Sequence, residues 1–255
     1  MQQQIINKPF LYIYGLGWYT DGANQVFVNS GQCRDSTNSY DIVMPNNNVV
    51  INTLNSGLYG IDSGDLQVSS VYEIYALGDT TNNNPSGLIL HLQSSPAPLR
   101  YPDGYNVSRL IGYVNVNASG NLMFIQVQGS GNDRTVMFIG NTFDFVVFND
   151  IPPGIFTPVN LYPKVPLGTQ LAYFYTTYYG SGTGDSLSVS PYPNLAGTGR
   201  DLFIFVYYLI SSTQIPNVNW TWIPVNNSNT TVSIKGLSAG SQTASLSIMG
   251  YKVSL

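Results

Sequence analysis

Short apolar or alternating runs recur along the whole chain, and turn signals interrupt each one. Pro9–Tyr14 leads into Gly15-Leu-Gly17, and Val26–Asn29 precedes a polar stretch, Ser30–Ser39. Asp41–Met44 and Val49–Thr53 flank Pro45-Asn-Asn-Asn48, which reads as a hairpin-like break. Val71–Leu77, Gly87–Gln93, Leu110–Val116, Leu122–Gln128 and Thr135–Ile139 continue the pattern. Strands and turns at this spacing are what a sandwich or barrel produces. Ala118-Ser-Gly-Asn121 reads as a hairpin turn, with Gly120 and Asn121 able to take positive φ, and Gly129–Asp133 as a second connection.

The residues that would compete for helix are nearly absent. The chain holds one glutamate, Glu73, and four lysines, Lys8, Lys164, Lys235 and Lys252. Tyr, Thr, Val, Ile and Phe, which suit pleated half-buried surfaces, are plentiful, and Asn, Gly, Ser and Pro fill the turns between them. The expected fold is all-β, as two antiparallel β-sandwich domains of jelly-roll-like character. Texture changes at Phe148-Asn-Asp-Ile-Pro-Pro-Gly154, and proline recurs at 158, 163 and 166. The expected division is therefore a sandwich over 1–149 and a smaller one over 150–255. The second half carries strand-like runs at Thr169–Tyr179, Leu187–Ser190, Asp201–Ile210, Asn219–Pro224, Thr230–Lys235 and Ala244–Ser254.

Charge narrows the partners. Charged residues are 9% of the chain, against about 25% in ordinary domains. The net charge of −4 and five scattered arginines (Arg34, Arg100, Arg109, Arg134, Arg200) argue against nucleic acid, which demands clustered cations. Solubility rests on amides and hydroxyls, a surface suited to packing in an assembly or to polar neutral ligands such as glycans. Cys33 is the single cysteine, so no intrachain disulfide forms. The first residues lack the basic and apolar regions of a signal peptide, and no stretch reaches the roughly 18 apolar residues of a membrane span.

Candidates for chemistry are few. His91 is the only histidine, and the strand period places it with Ile89 and Gln93, opposite Leu88, Leu90 and Leu92. It reads as a partly exposed strand histidine. A hydrolytic triad would have to use it, and no Gly-x-Ser-x-Gly elbow is near. One His and one Cys cannot seed a zinc site, although a threefold axis could gather three copies of His91. Asp62 and Asp65, in Gly60-Ile-Asp-Ser-Gly-Asp65, read as turn residues bonding their own backbone, ahead of weak calcium ligands. Gly180-Ser-Gly-Thr-Gly184 lacks the lysine and following helix of a phosphate loop and reads as a flexible loop. A glycosidase would need two carboxylates in one cleft, and only number recommends the twelve aspartates and Glu73. Sequons at Asn106, Asn117, Asn219, Asn226 and Asn229 fit chance in so Asn-rich a chain.

Aromatics make up 13% of the chain, with 19 tyrosines. Tyr173-Phe-Tyr175, Tyr178-Tyr179 and Phe203-x-Phe205-x-Tyr207 alternate as strand residues do and read as core or subunit interface. Tyr12, Tyr14, Tyr19, Tyr101, Tyr105, Tyr178 and Tyr179 read as exposed, able to stack on sugar rings.

The stretch Ser56-Gly-Leu-Tyr-Gly-Ile-Asp-Ser-Gly-Asp-Leu66, followed by Val71-Tyr-Glu-Ile-Tyr75, resembles a segment of phage tail-fibre and head-fibre proteins. Gly87-Leu-Ile-Leu90, then Pro96-Ala-Pro98, then Pro102-Asp-Gly-Tyr-Asn-Val-Ser-Arg-Leu-Ile-Gly112, resembles the next phrase of that family, and Val114–Leu122 its hairpin. Leu246-Ser-Ile-Met-Gly-Tyr251 is similar to its closing strand. The resemblance covers about 56–125, and its phrases are structural. It implies a non-enzymatic virion structural protein, a compact fibre, spike or tip component exposed on the particle and contributing to host attachment. It implies no cofactor, no metal and no catalytic residue. Its partners would be other virion proteins, further copies in a trimer, and a host surface glycan, with no nucleic acid and no membrane insertion. A capsid shell or decoration subunit is the alternative, and a glycan-cleaving enzyme a more distant one. Arg109, flanked by hairpin strands, reads as structural, its five donors bonding loop carbonyls.

Overall fold

The structure is a computed structural model that describes residues 12–129, 131–140, 146–149, 157–180, 186–190, 205–208, 217–225, 230–236 and 242–255. Those residues are all-β: they contain strands, turns and bends and no helix. The chain forms two compact units, one of Met1–Arg134 with Leu255, the other of Thr135–Ser254.

The first unit holds three groups of antiparallel strands. Strands β1 (Ile13–Gly15), β4 (Gly31–Arg34) and β5 (Asp41–Met44) pair in the order β1-β4-β5. Strands β2 (Trp18–Thr20), β3 (Gln25–Val28), β6 (Val49–Asn52) and β10 (Ile125–Gln128) pair in the order β10-β2-β3-β6. The third group is β7 (Ser70–Gly78) between β8 (Gly87–Leu92) and β9 (Val107–Val116). Pro45–Asn48 is therefore not a hairpin: it carries the chain from β5 in one sheet to β6 in another, with Asn48 at positive φ. The polar stretch Ser30–Ser39 hides β4, whose Cys33 alone points into the core.

Trp18 explains how two of these sheets meet. Its side chain is fully buried, and its indole Nε1 donates to the Tyr113 carbonyl oxygen at 2.9 Å. The ring rests on the bare backbone of Gly112, where a Cβ would stand 2.4 Å from Trp18 Cζ2. Gly112 is thus a receptor for the indole. The Ala118–Asn121 turn forms as expected around Asn117, whose Oδ1 accepts from the Ser119 and Asn121 amides at 2.9 and 3.0 Å. Gly120 takes positive φ there, and Asn121 does not.

In the second unit, β17 (Asn217–Pro224), β14 (Leu171–Gly180), β19 (Gln242–Ser254) and β11 (Asp133–Phe138) pair in that order, and β12 (Val146–Asn149) also pairs with β19. Strands β13 (Thr157–Asn160), β18 (Thr231–Gly236), β15 (Ser186–Ser190) and β16 (Phe205–Tyr208) form a second antiparallel sheet. Alternation decides the core: Ala172, Phe174, Ile223, Ile248 and Tyr251 are fully buried, Phe174 and the two isoleucines contributing about 1.5–3 kcal/mol each. The expected seam at Asp150–Gly154, the loop Ser181–Asp185 and the sequons at Asn226 and Asn229 lie outside the described residues.

Candidate functional site

The single histidine does not sit where strand alternation suggested. His91 is buried, at 7% exposure, and its Nδ1 lies 2.7 Å from Asp62 Oδ2. The partly exposed reading fails because side chains on both faces of β8 are buried, Ile89 with His91 as well as Leu88 with Leu90. The Gly57–Asp62 segment lies along the outer edge of β8. Tyr59 N donates to Leu88 O, Leu90 N to Gly60 O, and Asp62 N to Leu90 O, at 2.8, 2.9 and 2.9 Å. Ile61 and Leu90 form a parallel bridge, which brings Asp62 beside His91. The Asp62 side chain is 1% exposed, and its Oδ2 also accepts from the Arg100 amide at 3.3 Å. Asp62 is thus a long-range tie between two loops and a strand, beyond the local turn role expected of it.

Next to this pair lies a row of polar groups. The register sets His91, Glu73 and Tyr113 side by side across β8, β7 and β9. Tyr75 donates from its hydroxyl to Glu73 Oε2 at 2.8 Å, and its ring meets the His91 ring edge-on at 6.4 Å. Burial, with the Glu73 charge adding to it, pushes the Tyr113 hydroxyl up to about 12 and raises that of Tyr75 as well. Tyr75 is thus held neutral, as the donor to Glu73. Glu73, the one glutamate, is accommodated in the strand by a phenol beside it. The arrangement suits fixing β7, β8 and the loop beside them; the described hydrogen bond of His91 ends on a carboxylate rather than a nucleophile.

Two further aspartates organise loops that sequence reading passed over. The Asp35 carboxylate accepts from the amides of Thr37, Ser39 and Tyr40 and from the Thr37 hydroxyl. Asp79 accepts from the amides of Thr81, Asn83 and Asn84, from Thr81 Oγ1 at 2.6 Å and from Asn84 Nδ2 at 2.9 Å. The Tyr40 hydroxyl joins the two loops, 2.9 Å from the Asp79 carbonyl oxygen. The Asp-x-Thr spacing at 35–37 and 79–81 was the available signal. Among the described residues no group of three or more His, Cys, Asp or Glu side chains is placed to hold a metal ion. Arg109 donates from Nη2 to the Leu255 carbonyl oxygen at 2.9 Å, tying β9 to the last residue.

The tyrosines separate into three kinds. Tyr14 is 71% exposed, whereas Tyr105 is buried at 8%, its hydroxyl on the Pro85 carbonyl oxygen and its ring with Leu77 and Ile89. Tyr105 is thus core, against expectation. Tyr12 donates to Asp41, Tyr19 stacks on Phe27, and Tyr101 shares a 2.9 Å hydrogen bond with Ser108. Of Tyr178 and Tyr179 only the strand backbone is described. Tyr173 and Tyr175, read as core or subunit interface, instead join a partly exposed aromatic row with two tryptophans, and only Phe174 between them is fully buried. Tyr173 lies opposite Trp222 and Tyr175 opposite Trp220 across β14 and β17. Their ring centroids follow one another at 4.8 Å (Trp222–Tyr173), 5.9 Å (Tyr173–Trp220) and 4.7 Å (Trp220–Tyr175). The Lys252 ammonium lies 4.8 Å over the Trp222 ring at one end.

No protein-family model matches the chain, and no curated protein matches it. Among solved structures, the Bacillus thuringiensis insecticidal crystal protein Cry7Ca1 aligns at 9% identity over 99% of this chain and 54% of that one, with a TM-score of 0.17. The chain thus spans about half the length of that protein, and the likeness is too slight to carry an argument.

Proposed function

We propose that this chain is a non-enzymatic structural protein of a bacteriophage particle, a fibre, spike or tip component that presents a surface to the host. The observation that carries the proposal is how the phrases resembling phage fibre proteins use their polar groups. Asp62, His91, Glu73, Tyr75, Tyr101 and Ser108 bond one another or the backbone of neighbouring loops. Such a segment is a rigid mount, and its exposed loops are left to make contacts. The all-β frame and the scarcity of charge suit the same role, since neutral polar surfaces pack closely in assemblies. A trimer is the expected form, in which weak contacts from three copies add to useful avidity.

A second reading, a shell or decoration subunit touching only other virion proteins, is favoured by the scattered exposed apolar side chains. Tyr14, Leu54, Val68 and Phe124 stand 71%, 75%, 57% and 47% exposed. Light scattering coupled to size exclusion separates the two. The projecting component is expected at three times the 27.9 kDa chain mass. A clean monomer at micromolar concentration would count against it and favour assembly only on the particle.

A further inference from the structure

We propose that the outer face of β14 and β17 is a binding site for an acidic saccharide. The inference rests on the attachment reading above and names the ligand class and the residues. Trp220 is 48% exposed on a strand whose alternate residue, Ile223, is fully buried. Tyr173, Tyr175 and Trp222 beside it are half-buried. A contiguous row of partly exposed aromatic rings around an exposed tryptophan suits a contact surface, because apolar area facing water is unfavourable. Trp and Tyr combine an apolar body with a polar tip and lose little conformational freedom on binding, which suits the C–H faces and hydroxyl rims of pyranose rings.

Charge selects the acidic class. Across all of β14, β17 and β19, Lys252 is the only charged residue. The chain as a whole has 13 Asp and Glu against 9 Lys and Arg, so a stretch of three strands holding one cation and no carboxylate is the reverse of the rest. The Lys252 ammonium, over the face of Trp222, still has three N–H donors to offer a carboxylate. A sugar on Trp222 and Tyr173 would meet it. Nucleic acid also stacks on aromatic rings, but one cation on this face cannot neutralise a run of phosphates.

The test uses the full chain on an array of uronate- or sialate-bearing oligosaccharides beside neutral pyranose ones, with the tightest array oligosaccharide then titrated by tryptophan fluorescence. Trp18 is 2% exposed in the other unit, so a change in emission on binding reports Trp220 and Trp222. Acidic oligosaccharides are expected to be retained over neutral ones. Trp220→Ala is expected to weaken binding about tenfold or more, the scale of one lost aromatic stack, and Trp220→Phe to retain most of it. Lys252→Met is expected to remove the preference for acidic sugars while circular dichroism and the thermal midpoint stay near wild type. Retention of no acidic sugar, or acidic-sugar binding that neither Trp220→Ala nor Lys252→Met weakens, would overturn the site. In either case a chain found on the particle surface would leave the attachment reading standing. Saccharide binding at Trp220 by a chain absent from particles would do the opposite, supporting the site and removing that reading.

Discussion

Replacing Gly112 with alanine tests how the first unit is packed, because the expected sign is the opposite of the usual one. In an ordinary strand, Gly→Ala gains about 0.5–1 kcal/mol from the lower entropy of the unfolded chain. At Gly112 the new Cβ would stand 2.4, 2.5 and 2.6 Å from Cζ2, Cη2 and Cε2 of Trp18. Ordinary carbon contacts lie near about 3.5–4.0 Å, so the indole must retreat by roughly 1 Å. It has little freedom to do so. Its Nε1 is bonded to Tyr113 O, adjacent in sequence to Gly112, and the Arg134 guanidinium lies 6.0 Å from its ring. Overpacking costs about 1–3 kcal/mol and a strained or lost hydrogen bond about 1 more, for a total of about 2–4 kcal/mol. For a body of this size the thermal midpoint should fall by roughly 6–15 °C. Thermal unfolding followed by circular dichroism reads it directly. Trp18→Phe, which removes part of the clashing ring, should destabilise alone yet cost less in the Gly112→Ala background, with a coupling of about 1 kcal/mol or more. A midpoint for Gly112→Ala that is unchanged or raised, or strictly additive effects, would refute the packing described.

Asp62→Ala should destabilise by about 1–3 kcal/mol, since it leaves the buried His91 ring and the Arg100 amide without their acceptor; urea denaturation checks it, and a neutral outcome would mean the tie is dispensable. Acid should weaken the fold in a defined window. The Thr81 hydroxyl, with the amides around it, holds Asp79 down to about 2, and hydrogen bonds from Thr37, Tyr40 and Ser39 keep Asp35 below its ordinary value even though burial, the largest influence, pushes it up. Depressed carboxylates stabilise the fold fully above their unfolded value of 3.8 and lose that contribution as pH falls toward 2. Thr81→Val should therefore lower the thermal midpoint at pH 5 and differ little from wild type at pH 2. Cys33, whose thiol burial pushes up to about 12, should resist a disulfide reagent in the native protein and react at once in urea; rapid native labelling would contradict its burial.

The all-β class was legible because apolar runs alternate and end at turn residues throughout, and most expected runs coincide with observed strands, from Val71–Leu77 inside β7 to Ala244–Ser254 inside β19. What escaped depends on contacts distant in sequence. Strand β2 is three residues long and β4 is polar, so neither had a pattern long enough to read. The partner of His91 comes from a loop nearly thirty residues earlier that lies along the edge of β8; alternation along one strand says nothing about what lies beside it. The aromatic ladder needed a register: Tyr173 and Tyr175 were visible as an alternating pair, but Trp222 and Trp220 become their neighbours only once β14 and β17 are aligned. Lys252 joins them through a third strand, β19, where Leu171 pairs with Lys252.

The decisive observation is whether the chain sits on the outside of a virus particle. Antibodies raised against the purified protein, applied to gradient-purified intact particles and viewed by negative-stain microscopy, are expected to label discrete projecting positions. Purified particles whose proteins include no trace of this chain by mass spectrometry would contradict the proposed function, however well the protein folds or binds sugars in isolation.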